Sequence, residues 1–589
     1  MTLPFCITAV LACLQAGATT APATRPAPDL RNIRTGLSIP DEGYCDQPYI
    51  VITQDGHWLC TMTTGKGEEG DPGQHIIATI STDKGRTWSK PVDIEPADGP
   101  EASWAMPLVT PTGRVYVFYD YNGDRVSTLG DKKNIRADML GWFVYKYSDD
   151  NGRTWSPKRY RLPVRITEFD RNNDWKGQVQ MLWGIGKPII AGQSVYLGFS
   201  KIGKYLIDTS EGWFFRSDNL LAEPDPDKHV WEMLPEGDVG LRSPEGPIAE
   251  EHNLVALSDG SLYAVYRTVA GFICHAYSRD GGRTWTPPAF AAYTPGGRPI
   301  KNPRACPRLW KTLDGKYLLW YHNHGGKDFT NRNPAWITGG VEKDGFIHWA
   351  QPEILLYDPN PSMRMSYPDL IQQDGRYWIT QTNKTVARVH EIDSSLLEGL
   401  WNQGADRTIS RPGLILELND DAGLPDEVPM PDLPRLADGG GFTLEAWIHL
   451  TKTTPGQIIC ASRDAQARKG IMLSTAPNKA LRFTMSDEIS APYWDTEPNL
   501  IRTDELLHIV VIVDGGPHII SVVVNGVLCD GGTARQYGWG RFTPEIGDVN
   551  GSATLHIAPK LEGKVLVLRL YDRYLRTSQA VAHYAAGPR

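Results

Sequence analysis

The sequence predicts an all-β chain: a six-bladed β-propeller followed by a β-sandwich of jelly-roll type. Three observations predict it. The motif Ser-x-Asp-x-Gly-x-Thr-Trp occurs at 81–88, 148–155 and 278–285, with a degenerate copy at 343–349. A turn glycine followed by an apolar, aromatic-rich strand recurs six times, at Gly56, Gly113, Gly192, Gly260, Gly315 and Gly375. Beyond residue 415 the pattern changes to alternating strands, with Phe442, Leu444, Ala446, Ile448 and Leu450 on one face of FTLEAWIHL.

The chain begins with an apolar stretch over 3–16 and a small-x-small sequence, Ala16-Gly17-Ala18. Residues 1–18 read as a signal peptide, too short to span a bilayer. Val10-Leu-Ala-Cys13 also resembles a lipoprotein cleavage site, which would make Cys13 a lipid anchor. A secreted or periplasmic protein is expected, with no transmembrane segment in the mature chain. The Thr/Ala/Pro-rich residues 19–35 read as a linker.

The propeller is expected over 36–405. Asp and Gly in each Ser-x-Asp motif shape a tight turn, Ser and Asp bond its backbone, and Trp packs beneath it. These motifs brace a fold and carry no chemistry. Each turn glycine follows a second apolar run, so each marks a strand–turn–strand hairpin. Hairpins recurring every 60-odd residues suggest radially arranged four-stranded sheets. The sandwich is expected over 415–589. HIVVIVD at 508–514, IISVVV at 519–524 and VLVLRLY at 565–571 are its further strands, and Asn525-Gly526 is a hairpin turn. No helical run interrupts it. Pro412 and Gly413 lie in the linker between the two units, and a chain ending near 405 is expected to fold alone.

Composition narrows the function. The chain of 589 residues has 60 Lys+Arg against 69 Asp+Glu, a net charge of −9. It lacks the basic footprint of a nucleic-acid binder. Gly and Pro make about 17% of the chain against the usual ~12%, which suits many turns. No nucleotide-binding loop, HExxH or Cys/His zinc pattern is present, so no cofactor and no metal are indicated. Calcium in the sandwich is an option that no motif indicates. Cys45, Cys60, Cys274, Cys306, Cys460 and Cys529 read as buried apolar residues, with Cys45 and Cys60 the pair best placed for a disulfide.

In a propeller the inner strands converge on the axis. Counting about nine residues back from each turn glycine gives Gln47, Trp104, Trp183, Glu251, Cys306 and Ser366-Tyr367. A ring with a carboxylate, a tyrosine and two tryptophans suits a sugar, although Trp104 and Trp183 also read as core.

The repeated SxDxGxTW resembles the Asp-box of sialidases (neuraminidases), which are six-bladed propellers, over about residues 36–400. FTLEAWIHL and LRLYDRYL resemble laminin-G/concanavalin-type modules. The sialidase resemblance implies a tyrosine nucleophile activated by a glutamate, unlike most glycosidases. Met365-Ser-Tyr-Pro-Asp-Leu370 resembles the nucleophile strand, giving Tyr367. Ala249-Glu-Glu-His-Asn253 resembles the strand of the activating base, giving Glu251. The chemistry needs both, since a tyrosine with a pKa near ~10 attacks at neutral pH only if a base takes its proton. The resemblance places the acid/base on Asp71 in a loop, with Glu68 and Glu69 as alternatives. Gln74-His75 departs from the acidic residues usual there.

The resemblance also implies three arginines that clamp the substrate carboxylate. Arg267, sixteen residues after Glu251, matches the second, and Arg332 in Asn331-Arg-Asn-Pro334 the third. The first should precede a proline, where Tyr44-Cys-Asp-Gln-Pro48 puts Asp46. A carboxylate ~4 Å from a substrate carboxylate would be repelled by roughly 1–4 kcal/mol. Arg304 and Arg308 are the candidates to replace the missing fork, and Asp46 must be paired or turned away. Three readings follow: a sialidase-type exo-glycosidase acting on a glycan or glycoconjugate, a hydrolase of another sugar, acidic ones included, on the same scaffold, and a non-catalytic glycan-binding propeller. The sandwich is expected to bind glycan or dock the enzyme.

Overall fold

The computed structural model describes residues 28–588 except 134 and 421–423. The expected signal peptide and Cys13 lie outside the described residues. No described helix is long and apolar enough to cross a membrane.

Between residues 37 and 392 the strands form six separate antiparallel sheets of four or five strands, beside one two-stranded ribbon. The first holds Tyr44–Ile52, Trp58–Gly65, His75–Ser81 and Val92–Asp93. The second spans Ala102–Val109 to Tyr160–Arg161, the third Leu182–Trp183 to Glu232–Leu234, and the fourth Glu250–Ala256 to Ala289–Phe290. The fifth runs from Arg308–Lys311 to Glu353–Leu356. The sixth joins Leu370–Gln373, Arg376–Thr382 and Ala387–Ile392 to Leu37–Ile39, so the start of the described chain completes the last sheet. Each of the six turn glycines lies in a different sheet, in a turn between two of its consecutive strands, with φ from 61° to 90°. That is the left-handed region a side chain disfavours.

The Ser-x-Asp motifs bridge the third and fourth strands of the first, second and fourth sheets. In each, Ser81, Ser148 or Ser278 accepts from the amide of Gly85, Gly152 or Gly282 at 2.8 Å. Asp83, Asp150 or Asp280 takes both the amide and the hydroxyl of the threonine four residues on. The degenerate copy is instead a two-residue hairpin turn at Asp344-Gly345, with both residues at positive φ.

The second unit holds a seven-stranded and a six-stranded antiparallel sheet. Side chains of both, such as Leu444 and Val511 from one and Ile471 and Phe483 from the other, share one apolar core. A helix, Thr577–Ala586, ends it, correcting the expectation of no helix. Along HIVVIVD, Ile509, Val511 and Val513 face this core. Val510 and Ile512 face the other way, into a cluster with Trp336, Ile354, Tyr357, Val523 and Trp539. The run is apolar on both faces because the sheet is buried on both. Glu353 of the fifth sheet accepts from the amides of Thr577 and Ser578, capping the terminal helix. The expected linker is folded over its last residues: Arg31 pairs with Asp514 at 2.6 Å and stacks on Tyr574.

The described cysteines are all free and buried. Cys45 lies opposite Thr64 and Cys60 opposite Ile50, so the proposed Cys45–Cys60 pair is out of register.

The interface cluster argues against independent folding of the first unit. A chain ended at residue 405 exposes Trp336, Ile354 and Tyr357, each worth about 1.5–3 kcal/mol or more of burial. It is expected to aggregate or lose its cooperative thermal transition in calorimetry. A soluble, cooperatively melting 405-residue chain would show that the interface is dispensable.

Candidate functional site

Side chains alternate between faces along a strand, and an inserted residue breaks that alternation. The first strands of four sheets carry one such insertion at a shared register. Asp46 pairs with Thr63 but Tyr49 with Thr61, Ser103 with Asp120 but Met106 with Phe118, and Glu250 with Arg267 but Asn253 with Val265. In the sixth sheet Ser366 bridges Thr382 while Leu370 pairs with Ile379. At these bulges Gln47, Trp104, Glu251 and Tyr367 have φ of 54°, 65°, 60° and 46°. Non-glycine residues rarely sit there, and such strain collects at functional sites. All four are among the residues singled out by counting back from the turn glycines, whereas Trp183 and Cys306, from the same count, do not have positive φ.

The bulges bring side chains of several sheets together. The Tyr367 hydroxyl donates to Glu251 Oε1 at 2.8 Å. Arg267 Nη1 lies 2.7 Å from the same oxygen and Trp183 Nε1 donates to it at 3.2 Å. Arg267 Nε also donates to Glu250 Oε2 at 2.7 Å, and Arg304 Nη2 to Glu250 Oε1 at 2.9 Å. Arg332 reaches the Ser366 hydroxyl at 2.9 Å and the Arg304 carbonyl at 2.8 Å. Among the described residues no carboxylate lies within ion-pair distance of Arg332, and its Nε is buried without a partner. Arg267, Arg304 and Arg332 all lie against the ring of the exposed Phe329, at 5.5, 4.5 and 5.7 Å from its centroid. Trp104 and Trp183 are in contact, with centroids 4.8 Å apart.

Burial, then the neighbouring Glu251, holds the Tyr367 phenol well above its ordinary pKa, so it is neutral at rest. Burial works against the charge of Arg267, and Glu251 and Glu250 more than restore it. Burial lowers Arg332 from its ordinary value, with no carboxylate in ion-pair distance to offset it. A buried guanidinium without an anion is costly, and an anionic ligand would relieve that cost.

Asp46 is ion-paired, to Lys384 at 2.6 Å, and accepts from the Tyr44 hydroxyl and its neighbour's amide. Lys384 also lies 3.3 Å from Glu69 and 4.5 Å from the Tyr367 ring centroid. Arg136 completes the chain, pairing with Glu69 at 2.8 Å and Asp138 at 2.7 Å. Burial pushes Asp46 up to about 6 against the pull of Lys384. Burial also works to raise Glu69, but Lys384 and Arg136 outweigh it and hold the carboxyl well below its usual range.

Lys384, Glu250, Arg136 and Phe329 were not singled out from the sequence. Lys384 follows Tyr367 by seventeen residues, one more than the sixteen separating Glu251 from Arg267, so that offset applied to the sixth sheet stops at its neighbour Asn383. Two candidates do not join the cluster. Arg308 lies two residues further along its strand than Cys306, donates to the Ile185 carbonyl and stacks on Tyr49 and Trp310. It lines a separate cavity of about 730 Å³ beside the turns of Gly192 and Gly260. Asp71 is exposed on the 66–74 loop, where its carboxylate accepts from the Glu68 amide at 2.7 Å. Of the loop carboxylates, Glu69 is the one whose ion pairs reach the cluster. Gln47 is wholly buried, with both side-chain polar atoms unpartnered. Among the described residues no group of three His, Cys, Asp or Glu side chains is arranged to hold a metal.

Residues 228–379 match the BNR repeat-like domain and 146–157 the BNR/Asp-box repeat. Residues 422–581 match the concanavalin A-like lectin/glucanases superfamily. The chain thus carries Asp-box repeats and a laminin-G-like, concanavalin-type module. It is 25% identical over 251 residues to a sialidase of Clostridium perfringens, a match covering 40% of this chain and 59% of that protein. The chain thus spans about three-fifths of the length of that relative. Among solved structures it is similar to the Trypanosoma rangeli sialidase, at 15% identity and a TM-score of 0.42, over 92% of this chain and 94% of that one. It is also similar to a protein of unknown function from Dyadobacter fermentans, at 15% identity and a TM-score of 0.44, over 61% and 97%.

The Asp46–Lys384 pair yields a direct test. Lys384→Met leaves a buried carboxylate unpaired and is expected to cost about 3–5 kcal/mol in denaturant unfolding, whereas Asp46→Asn with Lys384→Met costs less than the sum of the single changes. Between about pH 4 and 6 the folded chain keeps a proton on Asp46 that the unfolded chain has released. Stability from this group therefore falls as pH rises through that window. Asp46→Asn should lack that slope, so the Tm of the wild type relative to the variant should fall as pH rises through the window. Asp46→Arg, which sets a guanidinium beside Lys384, should destabilise.

Proposed function

We propose that the chain is an exported, exo-acting glycoside hydrolase of the sialidase type, releasing a terminal sialic acid from glycans. In this reading the six sheets are the blades of a six-bladed propeller, and the two larger sheets form a jelly-roll sandwich behind it. The bulged residues then stand at the axial opening. The observation that carries the proposal is the 2.8 Å bond from the Tyr367 hydroxyl to Glu251, beside an arginine with no anion of its own. The sialidase relative supports the same class of reaction.

The substrate carboxylate sits on Arg332, with Arg304 and Arg267 beside it, after Phe329 moves off their guanidinium faces. Tyr367 Oη attacks the anomeric carbon while Glu251 takes the phenol proton, so an ordinarily poor nucleophile reacts near neutral pH. Arg267 and Trp183 fix the orientation of that carboxylate. The bond to the leaving oxygen breaks as that oxygen takes a proton from Asp71, reached through the open loop. In the second step Asp71 accepts a proton from water, whose oxygen displaces the tyrosine, and Glu251 returns its proton to Tyr367. Tyrosine suits this substrate because, being neutral, it does not repel a carboxylate as an aspartate would.

A second reading is favoured by one observation. With Asp46–Lys384 in place of a clamp arginine, the cations near the substrate carboxylate are Arg332, Arg304 and Arg267, and two of these already carry carboxylates. An acidic sugar other than a common sialoside fits that weaker clamp. Release of free sugar from a mixed panel of sialylated and non-sialylated glycans separates the two.

On the true substrate Tyr367→Phe and Glu251→Gln are each expected to lower kcat at least a hundredfold with little change in binding. Wild-type turnover by either would end the assignment of nucleophile and base. Asp71→Asn should lose about 10²–10⁴-fold on alkyl glycosides and far less on an aryl glycoside whose leaving group needs no proton. Equal losses on both would take the acid role away from Asp71.

A further inference from the structure

We infer that the C-terminal module is a working part of the anion site: its 528–541 strip sets the position of the two propeller loops that carry Arg304 and Arg332. The inference rests on the reading of Arg332 as the ligand of a substrate anion. It assigns the module a role other than glycan binding or docking.

The contacts converge on the bases of those two loops. Arg332 and Phe329 lie on the segment 323–333. Trp539 Nε1 donates to the Asn323 carbonyl at 3.0 Å, and Arg541 Nη2 to the Asn333 carbonyl at 2.7 Å. Both ends of the loop are thus held by the other unit. Between them the Gly325 amide donates to the Gln536 carbonyl at 2.9 Å, Gln536 Nε2 lies 3.1 Å from His324 Nδ1, and Tyr537 stacks on the His324 ring with centroids 4.7 Å apart. His324 passes the constraint inward, since its Nε2 lies 2.9 Å from the carbonyl of Asn331, the residue before Arg332.

The second loop is held the same way. Lys301 Nζ donates to the carbonyls of Asp530, Gly532 and Arg535 at 2.6, 2.6 and 2.8 Å. Three residues on stands Arg304, whose own amide donates to the Asp328 carbonyl of the first loop. The two arginines are therefore tied to each other and, through both loops, to one strip of the module.

A cation that binds a carboxylate must be placed to a fraction of an ångström, and loops do this only when their ends are held. Neither loop segment lies in a strand between its held points. Trp539, Arg541 and Lys301 are positioning residues in this account.

The test uses the full chain with Arg541→Met and Trp539→Phe. Arg576→Ala is the control, because it breaks the contact with Asp393 at 2.6 Å between the same two units away from both loops. Hydrogen exchange of amides 323–333 is expected to quicken at least tenfold in the first two variants and to stay as wild type in the control. KM for a sialoside should rise about tenfold with kcat changed less than threefold, the signature of lost ground-state and transition-state binding alike. Unchanged exchange and KM in Arg541→Met and Trp539→Phe would overturn the inference. So would an equal effect of Arg576→Ala, which would mean general loosening of the interface. If the wild-type protein frees no sugar from any sialoside, the proposed activity fails, and the exchange measurement alone decides whether the strip holds the loops.

Discussion

One broken alternation organises the site. Glu250 and Glu251 are successive residues of a strand and would ordinarily face opposite sides of the sheet. The bulge at Glu251, with φ of 60°, turns both carboxylates toward Arg267, which bonds one through Nε and the other through Nη1. Without it one of two wholly buried carboxylates would lack its cation, a penalty of several kcal/mol. With it Glu251 stands where the Tyr367 hydroxyl reaches it, and Glu250 has an oxygen left for Arg304. The same insertion at Gln47, Trp104 and Tyr367 makes the arrangement a property of the repeating sheet rather than of one strand.

Direct ion pairing around this centre is nearly complete, and the exception is informative. Arg267 and Arg304 share Glu250, and Arg267 also holds Glu251. Lys384 pairs with Asp46 and Glu69, and Arg136 with Glu69 and Asp138. Arg332 is held only by a hydroxyl and a carbonyl. In a buried network an unmatched cation marks the place where an anion belongs. The Asp46–Lys384 pair shows how the fold accepts a carboxylate where the family resemblance leads one to expect an arginine: a cation from the neighbouring sheet neutralises it. The positive charge moves sideways and its geometry changes from a planar fork to a point.

Much of this was legible in the sequence. The turn glycines marked one hairpin in each of six sheets because a tight turn demands positive φ, and a fixed count back from them reached the bulges because the sheets repeat. Tyr367 and Glu251 came from that count and from the sialidase resemblance, Arg267 and Arg332 from the resemblance alone, and the four are brought to one place. Asp71 is a loop residue, whose direction no periodicity encodes, and Arg304 and Arg308 part because the first lies on a loop and the second begins a strand. Lys384 was missed because its partner lies 338 residues away and nothing local ties the two. The contact between the units was also missed. Val510 and Ile512 read as part of one apolar run, and a sequence does not say which of two buried faces meets a second domain.

The central claim is that Tyr367, turned by its bulge onto Glu251, is the nucleophile. The most direct test is trapping. Incubation with a sialic acid fluorinated at carbons 2 and 3 slows breakdown of a glycosyl-enzyme bond, and peptide mapping by mass spectrometry then locates the sugar. The account predicts a single adduct, on the peptide containing Tyr367, absent in Tyr367→Phe. An adduct on another side chain, or steady sialoside hydrolysis by a protein that never forms one, would contradict it.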